Sequence, residues 1–140
     1  FAEVDAAAGA YGATGSAPAQ WPQWTTAERQ RFLAKLPQQR SASQLAALDE
    51  RLGLSTTGNN EVLFLWLKLA LANRYEPAVP LAEEFLARVG RRKFVAPLFE
   101  TLMGEGEWGQ SLARRIYQRT RPGYHAVTRG TVDKLVLKQD

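Results

Sequence analysis

The sequence has no cysteine, one histidine, and no apolar run long enough to cross a membrane. Without cysteine, disulfide frameworks, thiolate zinc sites and cysteine nucleophiles are excluded. The longest apolar stretch, residues 62–72, is interrupted by Lys68 and is shorter than the ~20 residues that a membrane span requires. The sequence also lacks a glycine loop of the G-x-x-x-x-G-K type, which binds nucleotide phosphates.

The single histidine, His125, follows a Pro-Gly pair in a segment expected to be a loop. A zinc hydrolase usually places two histidines one helical turn apart, and a Ser-His-Asp triad needs a histidine in a prepared site. We interpret His125 as a surface or packing residue and expect this chain to bind no metal or cofactor. An enzyme built on Glu105 and Glu107, which flank Gly106, together with His125 is kept as an alternative.

Length and composition are typical of one globular domain. The chain has 140 residues, of which 45% are hydrophobic and 23% charged. We expect a single domain over residues 1–140, with a linker-like lead-in at 1–22, a helical core at 23–121 and a tail at 122–140. Because the sequence begins with Phe1, where a translated chain would begin with Met, we expect a fragment of a longer multidomain protein. Since no stretch is long enough to span a membrane, we expect a soluble protein, with the compartment left open between cytoplasm and periplasm.

Helical signals recur along the chain. Thr25 with Glu28 and Ser41 with Gln44 have the spacing of capping boxes, and Gly53 has the position of a helix stop. Later apolar stripes have helical spacing, and they include residues 62–71, 79–89, 94–102 and 108–116. Since no sustained alternation of period two is present outside residues 132–137, the sequence predicts an all-α fold of antiparallel helix pairs.

The four tryptophans fall into two groups. Trp66 and Trp108 lie on apolar stripes, and we interpret them as core residues. Trp21 and Trp24 lie in the proline-containing segment near the N-terminus, where large aromatic side chains need a cover. A surface facing a missing neighbouring domain would provide one.

Charge is unevenly distributed. Residues 1–87 carry 7 basic and 9 acidic side chains, a net charge of −2, whereas residues 88–140 carry 11 basic and 5 acidic side chains, a net charge of +6. A positive region of this kind favours an anionic partner, which could be a nucleic acid, a carboxylate ligand or an acidic protein face.

The strongest basic cluster, Arg91, Arg92 and Lys93, follows Gly90 directly. We place it at the start of a helix, where free N–H groups and the helix dipole already favour an anion. An alternative is that it belongs to the end of the preceding helix, beside Arg88. Arg91 and Lys93 would point to different sides of a regular helix, so they can converge on one carboxylate only if Arg91 lies in the turn.

A second basic group is predicted to form a solvated or interface face, and it consists of Arg114, Arg115, Arg119 and Arg121. Residues 115 and 119 share one side of a helix. Together with the cluster at residues 91–93, this group supports an alternative function as a helical scaffold or a nucleic-acid-binding module.

Several blocks of the sequence resemble a known family. They are N-N-E-V-L-F-L-W-L at 59–67, A-V-P-L-A at 78–82, G-R-R-K-F at 90–94 and P-L-F at 97–99. In order and spacing they closely resemble the C-terminal domain of leukotriene A4 hydrolase and its bacterial aminopeptidase relatives. The clear resemblance covers residues 59–103, and a fainter one appears at Tyr117 and residues 125–128.

The resemblance implies an all-α right-handed superhelix of stacked antiparallel helix pairs, similar to armadillo and HEAT repeats, in a larger zinc aminopeptidase. The family's H-E-x-x-H and G-x-M-E-N motifs are absent from this sequence. Zinc and catalysis are therefore expected in a missing catalytic domain of the same polypeptide. The resemblance also implies that Arg91 and Lys93 bind the terminal carboxylate of a short peptide substrate, with Arg92 at a variable position. We expect the catalytic domain and the peptide as partners, and neither nucleic acid nor a membrane.

Overall fold

The computed structural model describes residues 1–137, which form eight α helices and contain no strand. The helices are α1 (Ala2–Thr14), α2 (Thr26–Lys35), α3 (Ala42–Leu52), α4 (Asn60–Ala72), α5 (Val79–Arg88), α6 (Arg92–Met103), α7 (Gly106–Thr120) and α8 (Ala126–Val136). Short 3₁₀ turns lie at Trp21–Gln23, Leu54–Thr56, Glu76–Ala78 and Arg121–Gly123. The predicted all-α class is confirmed. Within the described part of the chain, no helix combines the length and apolarity needed to traverse a bilayer.

The chain divides into two compact units, Phe1–Leu69 and Ala70–Asp140. This division does not decide whether the two units fold as one domain, so the single domain over residues 1–140 remains a prediction. The predicted tail at 122–140 includes α8, and its last three residues, 138–140, lie outside the described residues.

In the first unit, both predicted capping boxes are present. The Thr25 side chain accepts a hydrogen bond from the Glu28 N–H, and the Glu28 side chain accepts one from the Thr25 N–H. Ser41 and Gln44 form the same reciprocal pair at the start of α3. Gly53 ends α3 in the left-handed conformation, with φ of 64°, which glycine adopts without a Cβ clash. Local side-chain chemistry thus sets the bounds of α2 and α3.

The first unit has an aromatic core. The Phe32 ring lies 6.0 Å from the Trp21 ring and 5.5 Å from the Trp24 ring, measured between centroids, and Tyr11 of α1 packs edge-on against Phe32 at 6.2 Å. All four side chains are buried. The expectation that Trp21 and Trp24 need cover from a neighbouring domain is therefore wrong, because both are buried within this unit and pack against Phe32 of α2.

In the second unit, α6 is the central helix and contacts both α7 and α8. Only two residues separate α6 from α7, so these helices lie as antiparallel neighbours. Their shared core includes Leu98, Phe99, Ile116 and Val132. The sequence predicts a tail at residues 122–140, whereas residues 126–136 form the 11-residue helix α8, which buries Val132 and Val136. The predicted arrangement of paired helices is confirmed within this unit.

Trp66 is fully buried in the first unit, as predicted. Trp108, in the second unit, is only partly buried, and its indole N–H donates a 2.6 Å hydrogen bond to the Glu76 carboxylate. The interpretation of Trp108 as a core residue is therefore wrong, because this side chain lies at the edge of the apolar stripe of α7, with its indole N–H bonded to a surface carboxylate.

Candidate functional site

The basic cluster lies where α5 gives way to α6. Arg88 is the last residue of α5, Val89 and Gly90 follow, and Arg91 is the N-cap of α6 with an extended backbone (φ −71°, ψ 127°). The cluster therefore begins α6, as predicted, and the alternative that it ends the preceding helix is wrong. We call the four cations Arg88, Arg91, Arg92 and Lys93 the basic corner.

Two phenylalanine rings lie beneath the basic corner. Phe85 of α5 and Phe94 of α6 pack edge to face, with centroids 5.9 Å apart. The Arg91 guanidinium carbon is 6.0 Å from the centroid of Phe94, and the Lys93 Nζ is 4.8 Å from the same centroid. Arg88 lies 5.6 Å from the Phe85 centroid. The cations of Arg91 and Lys93 thus approach one ring although the residues are two apart, because Arg91 precedes the first helical residue.

The electrostatic setting of the basic corner favours an anion. No side chain caps the N-terminus of α6, and its first turn contains no acidic residue. The helix dipole places a partial positive charge at this end, which adds to the charges of the side chains. All four corner side chains are exposed to solvent. An incoming carboxylate could therefore reach them without displacing a buried group.

Two buried side chains from the far end of the sequence contact the turn between α5 and α6. The Tyr124 hydroxyl donates a 2.6 Å hydrogen bond to the Leu86 carbonyl, and the Thr128 hydroxyl donates a 3.3 Å bond to the Gly90 carbonyl. Sequence reasoning did not identify these contacts. The fainter resemblance at residues 125–128 includes Thr128 and was the one signal for it, whereas Tyr124 lies outside that segment.

Three of the four cations of the second basic group are paired with carboxylates. Arg115 and Arg119 both donate to Glu83 of α5, at 2.9 and 2.6 Å. The hydrogen bond from Arg119, supported by that from Arg115, lowers the pKa of Glu83 below its ordinary value. Residues 115 and 119 share one helix side, as predicted, and that side faces α5. Arg114 is exposed.

Arg121, the last member of that group, belongs to a polar cluster with Asp133 and Tyr117. The Arg121 guanidinium donates two 2.9 Å hydrogen bonds to the Asp133 carboxylate, which also accepts a hydrogen bond from the Tyr117 hydroxyl. The bonds from Arg121 and then from Tyr117 lower the pKa of Asp133 to about 2. Burial, followed by the bond to Asp133, raises the pKa of Tyr117. These hydrogen bonds connect Asp133 of α8 to Tyr117 of α7 and to the turn that follows α7.

The structure does not bring the alternative catalytic residues together. Glu105 is the N-cap of α7 and accepts a 3.0 Å bond from Arg74. His125 is exposed and lies immediately before α8, beyond the other end of α7. A 15-residue helix is about 22 Å long, so α7 separates the two side chains. Among residues 1–137, no three His, Cys, Asp or Glu side chains are grouped so that they could hold a metal ion.

Curated relatives of the chain are fungal leucine aminopeptidases. Leucine aminopeptidase 2 of Aspergillus niger is 36% identical over 87 residues, which is 62% of this chain and 14% of that protein. The enzyme of the same name from Phaeosphaeria nodorum is 29% identical over 114 residues, 79% of this chain and 18% of the relative. That from Ajellomyces capsulatus is 28% identical over 94 residues, 67% of this chain and 15% of the relative. The chain thus spans less than a fifth of the length of these relatives.

A family model also matches most of the chain. The model described as "Leukotriene A4 hydrolase, C-terminal" matches residues 24–136. This match includes all helices from α2 to α8 and every residue of the basic corner. The resemblance noted in residues 59–103 therefore extends over most of the sequence, and the chain belongs to the family of leukotriene A4 hydrolase C-terminal domains.

Proposed function

We propose that this chain is the helical C-terminal domain of a longer zinc aminopeptidase, in which Arg91 and Lys93 bind the terminal carboxylate of a short peptide substrate. Family membership and the leucine aminopeptidase names of the relatives support the reaction class. Because the chain spans only 14–18% of the three fungal relatives, we assign hydrolysis to sequence outside it.

The observation that carries this proposal is the approach of two cations to one ring. Arg91 in the turn and Lys93 in the helix both lie within 6.0 Å of the Phe94 centroid, at an uncapped helix N-terminus. Phe94 is 4% exposed, so the ring is a fixed apolar base for two exposed side chains. Contact with the ring limits the directions that both cations adopt.

Each residue would make a different contribution to carboxylate binding. A planar guanidinium forms two parallel hydrogen bonds with a carboxylate, which fixes its orientation, and an ammonium adds a compact charge. Held by its carboxyl end, a short peptide presents its amino end at a constant distance, and this positioning lowers the entropic part of the barrier. Zinc, when bound in the catalytic domain, activates water and polarises the carbonyl, and its ligands must come from outside the described residues.

The first prediction compares a tripeptide with its C-terminal amide in the full-length enzyme. The substitution Arg91→Ala should lower kcat/KM for the free acid by about 10- to 100-fold, because loss of a hydrogen bond to a charged group has an effect of this size. The amide has no carboxylate to lose, so its kcat/KM should change by less than about threefold. Steady-state kinetics with both substrates measures the difference.

Arg92→Ala is the matched control, because Arg92 is also an exposed cation of the basic corner and begins the same helix. It should lower kcat/KM for the free-acid tripeptide far less than Arg91→Ala does. Lys93→Ala, like Arg91→Ala, should lower kcat/KM for the free acid more than for the amide. Equal losses for acid and amide in the Arg91 and Lys93 variants would contradict carboxylate binding at this corner.

A further inference from the structure

We infer that Thr128 and Tyr124 are positioning residues for substrate binding, because they fix the turn from which Arg91 and Lys93 project. The inference rests on the proposed function. Thr128 lies in α8 and Tyr124 in the segment before it, and neither element carries any of the four cations of the basic corner. Both residues would nevertheless affect the geometry of that corner. All of these residues belong to the second unit.

The first contact fixes where α5 ends. Leu86 lies in the last turn of α5, where carbonyl groups have no partner within the helix. The Tyr124 hydroxyl satisfies the Leu86 carbonyl at 2.6 Å, and this bond is buried. Tyr124 is 4% exposed and stacks on the Tyr117 ring, with centroids 6.2 Å apart and an angle of 24° between the ring planes. The end of α5 is therefore attached to a side chain that is itself held by packing.

The second contact fixes the peptide group that leads into the basic corner. The carbonyl of Gly90 belongs to the peptide bond with Arg91, and it accepts the Thr128 hydroxyl at 3.3 Å. Thr128 is 4% exposed. The Tyr124 ring lies against the same turn, 3.8 Å from the position that a Cβ on Gly90 would take. Holding this peptide plane sets the direction in which the Arg91 side chain leaves the backbone.

The α6 side of the turn is held by backbone hydrogen bonds. The N–H groups of Phe94 and Val95 both donate to the Arg91 carbonyl at 3.0 Å. Arg91 is therefore fixed on its carboxyl side by α6 and on its amino side by Thr128. The backbone of Arg91 sets the point from which the exposed guanidinium reaches the Phe94 ring, so this backbone is the rigid reference for binding. A shift of the order of 1 Å in such a reference can cost as much as about 100-fold in rate.

The experiment uses the full-length enzyme with Thr128→Val, which keeps the side-chain shape and removes the hydroxyl donor. We expect KM for a free-acid tripeptide to rise about 3- to 10-fold with kcat within about twofold, since one hydrogen bond is lost. KM for the tripeptide amide should stay within about twofold. Thr128→Ser keeps the hydroxyl and should restore the KM of the parent enzyme.

The matched control is Thr131→Val on the same helix. The Thr131 hydroxyl donates to Val127 of its own helix at 3.2 Å and makes no bond to the turn. This variant should leave KM for both substrates unchanged. Tyr124→Phe is a second variant, because it keeps the ring and removes the bond to Leu86, and it too should raise KM for the free acid selectively.

The outcomes separate this inference from the proposed function. If Arg91→Ala impairs the free acid selectively but Thr128→Val and Tyr124→Phe do not, the inference is overturned and the proposed function stands. Equal losses for acid and amide in both variants would also overturn it, since they indicate a general structural role. If Arg91→Ala itself shows no selectivity, the proposed function fails. In the Arg91→Ala background, Thr128→Val should raise KM for the free acid less than it does in the parent enzyme, because only Lys93 is left to be positioned, and an undiminished effect there contradicts positioning through Arg91.

Discussion

The Asp133 carboxylate links α8 to α7 and to the turn that follows α7. It accepts two hydrogen bonds from Arg121 and one from the Tyr117 hydroxyl, and Tyr117 is buried. A carboxylate that loses its charge is a weaker acceptor for all three bonds. The buried hydroxyl would then have a poorer partner, which costs more than loss of an exposed ion pair.

For this single residue, we predict that stability depends on the ionisation of Asp133. The pKa of Asp133 in the folded protein is about 2, below the ordinary value of 3.8. A depressed carboxyl pKa stabilises the folded state above pH 3.8, and this contribution is lost as the pH falls from about 4 to about 2. Asp133→Asn should lower the free energy of unfolding at pH 7 by about 1 to 2 kcal/mol, measured by urea denaturation.

The pH dependence of the unfolding free energy checks this prediction. The difference in unfolding free energy between the parent protein and Asp133→Asn should be constant from pH 7 to about pH 5 and should shrink as the pH approaches 2. Thr131→Val, which removes an exposed hydroxyl of the same helix, serves as the control with no such trend. A difference that stays constant down to pH 2 would assign the loss to packing and not to charge.

The sequence located the cations of the candidate site but not what orients them. Arg91 and Lys93 stand out because three basic residues follow a glycine, which is a local pattern. The requirement that Arg91 lie in the turn also followed from helical geometry, and the structure meets it. The contacts of Tyr124 and Thr128 span 38 residues, so no local period or spacing encodes them. Their identification required the packing of α8 on α6.

Among the helices, the contact between α6 and α7 depends on a residue with no side chain. Gly109 lies in the first part of α7, and a Cβ there would be 1.9 Å from the Leu102 carbonyl oxygen of α6. Backbone atoms cannot move aside as the end of a flexible side chain can. The close approach of the two helices is therefore possible only with glycine at this position.

We predict opposite effects of alanine at two helical glycines. Gly109→Ala should destabilise the protein by about 1 to 3 kcal/mol, because α7 must shift away from α6. A Cβ added at Gly130 of α8 would have no atom within 4 Å, so Gly130→Ala should stabilise by about 0.5 to 1 kcal/mol through helix propensity. Thermal unfolding of both variants measures whether each substitution lowers or raises the stability of the folded protein. A stabilising Gly109→Ala would contradict the close packing of α6 and α7.

The helices were predictable where their ends carry their own signals. Thr25 with Glu28, Ser41 with Gln44, and Gly53 mark the ends of α2 and α3 in the sequence itself. The start of α8 has no such signal, because its N-cap, His125, makes no side-chain capping bond and Gly130 lowers the helix propensity of its middle. Burial of Val132 against α6 stabilises this helix, and that is a tertiary effect.

For the chain as a whole, net charge alone overstates the positive surface. Residues 88–140 carry a net charge of +6, but Glu83 engages Arg115 and Arg119, and Asp133 engages Arg121. Binding to nucleic acid requires many cations that can reach phosphates together. These ion pairs engage three of the 11 basic side chains of residues 88–140, so fewer cations can reach a phosphate backbone together than the net charge suggests.

The last prediction tests the alternative of a nucleic-acid-binding module. With a labelled 20-base-pair DNA duplex at ~0.15 M salt, the chain should bind with a Kd weaker than about 0.1 mM, the weak end of non-specific binding. Glu83→Gln releases Arg115 and Arg119 and should raise the affinity measurably at ~0.05 M salt, where screening is weaker. Fluorescence anisotropy over a salt series measures both. A micromolar Kd at ~0.15 M in the parent protein, with affinity falling log-linearly with salt, would establish phosphate binding and contradict a surface neutralised by its own carboxylates.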